Sequence, residues 1–517
     1  MQKPTFSLLL FLLILLSSCS GPKGALTTKD DGKIEFVILQ MNDVYEISPL
    51  ENGTVGGIAR VATIKKRLEA LHENVFCILS GDFLSPSLIG SLKYQGSRIK
   101  GQQMVEALNA LGLDLVTFGN HEFDLDMEDP QKRIDESEFE WLATTVRHKT
   151  AGGTQPFYKE VFGEKHILPD TYTWKISDAD GTQADIGFFS TTINSNPRDY
   201  VEYLDFFQTP IDKADELGES CNLVLGVTHL ERIQDLKLAG MLPQVPLLMG
   251  GHDHDHMIDT IGTAIMTKAD ANAKTVYIHR FVLDTKTGAV NLKSELVPVT
   301  DAIPADPFVD MVVQRWVAVR DVAIKQVIEN PFEVVYSTKV PLDARESMIR
   351  HQQAPIGKMI NEGMLLACKE QAAAAFFNSG SIRLDDQLAG SITPVDIFRT
   401  LPFGGKIMLV EIRGDVLIQT LTMGRENKGT GGYLQLLNLS FDEADQAWRI
   451  QGKKIQAGQV YKVAVSDFLL LGLETGLDFF TPENPGILSI TGPDPTDPTD
   501  LKRDIRKAWI TYLQSLN

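Results

Sequence analysis

The sequence predicts an α/β protein, α+β overall, built as two domains, and three observations carry that reading. At 517 residues the chain is too long for one ordinary hydrophobic core. From about residue 34 to 300, short and nearly continuous apolar runs alternate with amphipathic stretches, the pattern of strands covered on both faces by helices. Pro304 and Pro307 then interrupt the chain, and a second mixture of helices and strands runs from about residue 333 to the end.

The elements follow in order. Residues 34–39 read as a strand and 58–71 as a helix with apolar residues at helical spacing. Residues 75–79 form a second strand. Residues 102–111 form a helix with Met104, Val105, Leu108 and Leu111 on one side, and 115–118 a third strand. Two more apolar strands lie at 223–227 and 247–249. Residues 276–283 and 290–297 flank Asp284-Thr285-Lys286-Thr287-Gly288 and read as an antiparallel hairpin closing the first domain. Residues 308–327 have helical periodicity and suit a joint between domains. The expected division is a signal peptide at 1–18, a tether at 19–33, a first domain at 34–304, a linker helix at 305–332 and a second domain at 333–517.

The start of the chain has its own chemistry. Lys3 precedes an apolar run at 6–16, too short to span a bilayer comfortably but matched to a signal-peptide core. The run ends in Leu16-Ser17-Ser18-Cys19, which resembles a bacterial lipobox. That resemblance implies cleavage before Cys19, lipidation of its thiol, and an exported chain held in the cell envelope by its lipid; a plain signal peptide containing a cysteine is the alternative. Residues 20–24 are a flexible polar tether. Of the other cysteines, Cys77 lies in an apolar run and reads as a core thiol, while the odd number formed by Cys77, Cys221 and Cys368 argues against a complete disulfide framework and leaves one disulfide open.

The formal net charge of −19 argues against a surface for polyanionic nucleic acid, which needs a basic footprint. A small phosphorylated ligand needs only a local positive site. The sequence offers a place for one: five expected strands each run into a residue able to bind metal. They lead to Asn42-Asp43, Gly81-Asp82, Gly119-Asn120-His121-Glu122, Thr228-His229 and Gly250-Gly251-His252-Asp253-His254. Ligands of open α/β sheets bind beyond the carboxyl ends of the strands, so these segments are expected to converge.

These motifs resemble the ordered set of calcineurin-like metallophosphoesterases, and residues 119–124 are similar to the 5′-nucleotidase branch in particular. The resemblance implies a four-layer α/β metallophosphoesterase domain followed by a smaller mixed α/β domain that binds substrate. By position, Asp82 would bridge two divalent metal ions. Asn120, His229 and His252 would complete one site, and Asp43 and His254 would belong to the other. The donor mix suits Zn, Mn, Fe or Co alike. His121 would be a catalytic histidine that binds no metal, oriented by Asp124, which is also placed to cap the next helix. The implied reaction is metal-dependent phosphomonoester hydrolysis, with hydroxide attack at a two-metal centre. One position departs from the pattern: Tyr45 stands where the family has a histidine ligand. Tyr45 ligating through its phenol oxygen, replacement by water or Glu46, and Tyr45 pointing away all remain open. His256 extends the His-rich loop as an exposed or outer residue.

The second half resembles the 5′-nucleotidase C-terminal domain. Asn378-Ser379-Gly380-Ser381-Ile382-Arg383, Arg350 ahead of Gly357, and Pro402-Phe403-Gly404 carry the likeness. It implies that Arg350, Asn378 and Arg383 hold substrate oxygens and that Phe403 and Phe468 face a nucleobase. Gly405 replaces an expected Asn, and residues 469–475 form a longer, more apolar segment after Phe468. The implied substrate is a nucleoside 5′-monophosphate. Cyclic nucleotides, 3′-nucleotides and sugar nucleotides are the alternatives within the same chemistry, and a non-catalytic nucleotide-binding lipoprotein is the alternative of another class.

Overall fold

The computed structural model describes residues 30–195, 198–326, 328, 330–369, 371–384 and 386–517; the signal-peptide and Cys19 readings fall outside them. Two six-stranded sheets organise the first domain. One runs Val290–Pro298, Thr275–Asp284, Lys33–Met41, Val75–Leu79, Leu115–Thr117, Glu140–Leu142. The other runs Thr171–Ser177, Gln183–Thr192, Leu223–His229, Leu247–Gly250, Ala264–Lys268, Met257–Ile261. The central pairs in each are parallel, with Lys33–Met41 on Val75–Leu79 and Leu223–His229 on Leu247–Gly250.

The sheets pack face to face beneath helices, which is why central strands such as Val75–Leu79 and Leu223–His229 are largely apolar rather than alternating. Ile34, Phe36, Ile38, Phe76 and Ile78 of the first meet Ile186, Phe188, Leu225, Val227 and Met249 of the second. Phe36 stacks on Phe281 at 4.5 Å, and Phe76 on Trp174 at 4.5 Å. Helices Ile58–Glu69 and Gln102–Leu111 cover the outer face of the first sheet. Helices Gln208–Gly218 and Arg232–Met241 cover that of the second. The result is the four-layer arrangement of helix, sheet, sheet and helix. The expected strands and hairpin form within a few residues of their predicted limits. Cys77, Cys221 and Cys368 are all free thiols.

Helix Pro307–Lys325 begins with Asp306 accepting from the N–H groups of Phe308 and Val309, with proline in the first turn. It packs against the first domain. Val309, Val313, Trp316 and Ile324 are buried in the first core, and Trp316 Nε1 donates to Glu106 at 3.0 Å.

The second domain has a five-stranded sheet in the order Leu434–Leu437, Ala374–Asn378, Val460–Ser466, Ile407–Arg413, Ile487–Thr491. Helices Pro355–Ala367 and Ile505–Gln514 pack on one side, with Ile360, Met364 and Trp509 in a shared core. Val395 and Phe398, on helix Pro394–Thr400, reach across into the core of the first domain. Ion pairs Lys274–Asp386 at 3.2 Å and Arg399–Glu46 at 3.9 Å also cross between the halves.

Candidate metal centre and active site

The ends of five strands, drawn from both sheets, meet at one edge of the sandwich. Asp43, Asp82 and His252 take up positive φ there, at 53°, 58° and 78°. Such backbone is costly for residues other than glycine and is held only where the surroundings over-determine it. Close packing enforces part of this, because a Cβ on Gly119 would lie 2.0 Å from Asp82 Oδ1.

Glu122 does much of the arranging. Its buried carboxylate accepts from the N–H groups of Gly119, Asp82, Phe83 and Leu84 at 2.7–3.1 Å, so it pins two strand-end loops to each other. Burial, then the Asp82 carboxylate, pushes Glu122 up to about 7. Sequence reasoning placed Glu122 in the motif but gave it no task.

The predicted ligands come together. The Nδ1–H of His229 donates to the carbonyl of Ser80 at 2.7 Å, which aims Nε2 inward. There Nε2 faces Asp82 Oδ2 at 3.1 Å, Asn120 Oδ1 at 3.2 Å and Asp43 Oδ1 at 3.9 Å. His252 Nδ1 lies 3.1 Å from the same Asn120 oxygen. Asp82, His229 and His252 thus form a group able to hold an ion. On the other side, His254 Nε2 lies 3.4 Å from Asp43 Oδ1, a buried oxygen that no hydrogen bond reaches.

Tyr45 points inward, 6% exposed, which removes the reading in which it turns away. Its hydroxyl is 3.2 Å from Asp82 Oδ2 and 3.1 Å from His254 Nε2. Glu46 instead faces Arg399 of the second domain.

The electrostatics ask for cations. Burial opposes charge at His229, yet Asp82 and Asp43 outweigh it and push the imidazole up to about 9. Burial likewise opposes charge on Asp82, and His229 with His121 holds that carboxyl far below its ordinary value. Oxygens and imidazole nitrogens converge here with a buried carboxylate oxygen lacking a donor. That chemistry fits divalent metal ions.

His121 sits beside the cluster without pointing its ring into it. Its backbone N–H donates to Asp82 Oδ1 at 2.7 Å, and its Nδ1 pairs with Asp124 Oδ2 at 2.9 Å. Burial works against its charge, but Asp124 and Asp82 raise the imidazole above its ordinary value. Asp124 also accepts from Ser85 Oγ at 3.2 Å, and no side chain caps the following helix. His256 is exposed and pairs with Asp270 at 3.0 Å, outside the cluster.

Behind the His252–His254 loop lies an ion group the sequence reading missed. Lys268, fully buried, reaches Asp235 at 2.7 Å, Asp253 at 2.6 Å and the carbonyl of Leu230 at 2.5 Å. A lysine ending the apolar strand Ala264–Lys268 was the available signal.

The second domain brings its predicted residues to the same place. Arg383 Nη1 lies 3.4 Å from His121 Nε2. Glu346 pairs with Arg350 and lies 3.7 Å from Arg383. The Nε atoms of both arginines are buried without hydrogen-bond partners. Asn378 donates to Glu474 at 2.9 Å, and burial raises that carboxyl. Phe403 is 58% exposed, with the Arg383 guanidinium 5.8 Å above its ring, and Phe468 is 38% exposed. Gly405 has φ of 114°, and a Cβ there would come within 2.9 Å of Asp467 Oδ1, so this turn excludes the asparagine expected at that position.

Two packed sheets present a cluster of possible metal ligands at their strand ends, facing arginines from a second domain. The 5′-nucleotidase C-terminal domain family matches residues 334–481. A snake venom 5′-nucleotidase from Naja atra is 25% identical over 461 residues, covering 78% of this chain and 81% of its own. A 5′-nucleotidase from Vibrio cholerae is 24% identical over 498 residues, covering 86% of each. The crystal structure of a 5′-nucleotidase precursor from Thermus thermophilus superposes with a TM-score of 0.72 at 21% identity, over 93% of this chain and 97% of that one. Over most of its length the chain is thus similar to 5′-nucleotidases, with the family's C-terminal domain matched at residues 334–481.

Proposed function

We propose that this chain is a metal-dependent phosphomonoesterase that releases phosphate from nucleoside 5′-monophosphates. The observation that carries the reading is the 3.4 Å approach of Arg383, on the second domain, to His121, beside the metal cluster on the first. A substrate gripped by one domain is thereby delivered to the other. A polar cleft of about 550 Å³, lined by His254, Lys274, Arg345 and Asp386, opens between the domains beside the cluster.

Asp43, Asp82, Asn120, His229, His252 and His254 would hold two divalent ions. Bound there, the ions would supply Lewis acidity toward the phosphoryl oxygens and lower the pKa of an attacking water. His121, tied through Nδ1 to Asp124, presents Nε2 to the reacting phosphoryl group for proton transfer. Arg383 adds a positive charge beside it. On the leaving-group side, Glu346 and Glu474 balance Arg350 and Arg383. A pocket with so little net charge suits an uncharged, hydroxyl-bearing leaving group, whose O–H groups donate to carboxylates, better than a second phosphate. Phe403 offers a ring face for a base.

Phosphate release by the metal-loaded protein is to be compared for AMP, adenosine 3′-phosphate, 2′,3′-cyclic AMP, UDP-glucose and an aryl phosphate. AMP is expected to give the highest kcat/KM, with His121→Ala lowering kcat by about 10²–10⁴-fold. Equal values for AMP and the aryl phosphate, unaffected by Phe403→Ala, would remove base recognition. Two bound ions without turnover would remove the enzymatic reading.

Export and lipid anchoring through Cys19 belong to the same proposal, supported by the apolar run and the lipobox-like Leu16-Ser17-Ser18-Cys19. Labelled fatty acid should enter the expressed wild-type chain and not Cys19→Ser; no label in the wild type would overturn it.

A further inference from the structure

Resting on that two-ion reading, we propose that Tyr45 is itself a metal ligand, its phenol oxygen completing the site formed by Asp43, His254 and the shared carboxylate of Asp82. Adjacent donor atoms bound about 2.0–2.2 Å from one ion lie about 3–3.6 Å from each other. The spacings match: Tyr45 oxygen to Asp82 Oδ2 is 3.2 Å, Tyr45 oxygen to His254 Nε2 is 3.1 Å, and His254 Nε2 to Asp43 Oδ1 is 3.4 Å.

Hydrogen bonding alone accounts for this arrangement less well. The phenol has one proton and can serve only one of Asp82 Oδ2 and His254 Nε2 with it. Asp43 Oδ1 is buried and accepts no hydrogen bond. A cation bound beside the phenol oxygen, between Asp43 and His254, supplies what that single proton does not. The ring is also fixed: its edge meets His121 at 6.2 Å and it tilts against His254 at 5.5 Å, while the Tyr45 N–H donates to Asn272 Oδ1 at 3.0 Å. A side chain held at both ends is aimed, not merely accommodated.

The consequence is chemical. A phenol oxygen is a harder donor than an imidazole nitrogen, and on binding it gives up its proton to solvent and adds a negative charge. The Tyr45 site should therefore favour Fe(III) or Mn(II) over Zn(II), while the Asn120–His229–His252 site keeps the softer preference of its two imidazoles.

The test compares the wild-type chain with Tyr45→Phe and Tyr45→His, reading bound metal by elemental analysis and the Fe(III)-loaded forms by absorption spectroscopy. The wild type should bind two ions per chain and show a visible phenolate-to-Fe(III) charge-transfer band. Tyr45→Phe should lose the band and weaken one of the two ions by more than about tenfold, the lower bound seen when even an outer partner of a ligand is lost. Tyr45→His should restore two ions without the band. Two Fe(III) ions in the wild type with no band would overturn the proposal and leave the phosphoesterase reading intact. So would a Tyr45→Phe protein with unaltered affinity for both ions. A folded wild type that cannot bind two ions would overturn both.

Discussion

Arg383 Nη1 stands 3.4 Å from His121 Nε2, 262 residues away in sequence and on the other domain. Neither group needs the other for folding, since each has its own anchor: Asp124 for His121 and Glu346 for Arg383. Their approach therefore reads as shared attention to a third group, the phosphoryl oxygens.

Replacing Arg383 by lysine keeps the charge and loses the planar fork that presents paired donors. Arg383→Lys should lower kcat/KM for AMP by roughly 10–100-fold, equivalent to about 1.4–2.8 kcal/mol. Bound metal should stay unaltered. A parallel fall in metal content would mean that Arg383 supports the cluster rather than the substrate.

Glu122 accepts four backbone N–H groups that have no solvent to turn to. An amide in its place offers one acceptor oxygen and adds donors facing donors. Glu122→Gln should cost about 2–4 kcal/mol in urea unfolding, since each unsatisfied buried donor costs about 1–3 kcal/mol. The Asp82 loop should lose metal affinity with it. A stability within about 0.5 kcal/mol of wild type, the scatter of neutral surface changes, would show that the loops do not depend on this carboxylate.

Lys268 is a buried cation held between Asp235 and Asp253, and Asp253 lies between two candidate ligands. Lys268→Met leaves two carboxylates unbalanced and should destabilise the protein by about 3–5 kcal/mol. Adding Asp235→Asn to it should recover part of that loss. Calorimetry on metal-free protein separates this effect from metal binding; additive losses in the pair would show that the two residues are not coupled.

His279 is fully buried between Ser294 Oγ at 2.8 Å and Gln40 Oε1 at 2.9 Å. Because an amide oxygen only accepts, Nε2 carries the proton and Nδ1 accepts from the serine. Burial lowers this imidazole to about 3. The unfolded chain takes up a proton near pH 6.5 that the native state refuses, so stability falls as pH drops between those values, by about 1.4 kcal/mol per unit. At pH 5 the loss is roughly 2 kcal/mol. Unfolding free energies of wild type and His279→Gln between pH 7 and 5 should diverge accordingly; parallel curves would show that His279 does not titrate on unfolding.

Local pattern in the sequence determined much of this protein. Apolar runs such as 75–79 can only be covered strands, their ends supply ligand types one after another, and the three-residue spacing of His121 and Asp124 already sets up their pair. Those features depend on neighbours within a few residues, and composition alone carries them. Two strands with mixed composition, Thr171–Ser177 and Gln183–Thr192, escaped the same reading because their burial comes from the facing sheet.

Tertiary structure alone decided the rest. Whether Tyr45 faces the cluster depends on His254, 209 residues later, and on Asn272, which fixes its backbone. The role of Glu122 depends on the Asp82 loop, that of Lys268 on a neighbouring helix and loop, and the position of Arg383 on how one domain closes on the other. In each case a short, directional contact joins segments that the chain brings together only after both sheets have packed. Sequence spacing carries no information about that distance, which is why the candidate ligands were legible in the sequence and the approach of Tyr45 to them was not.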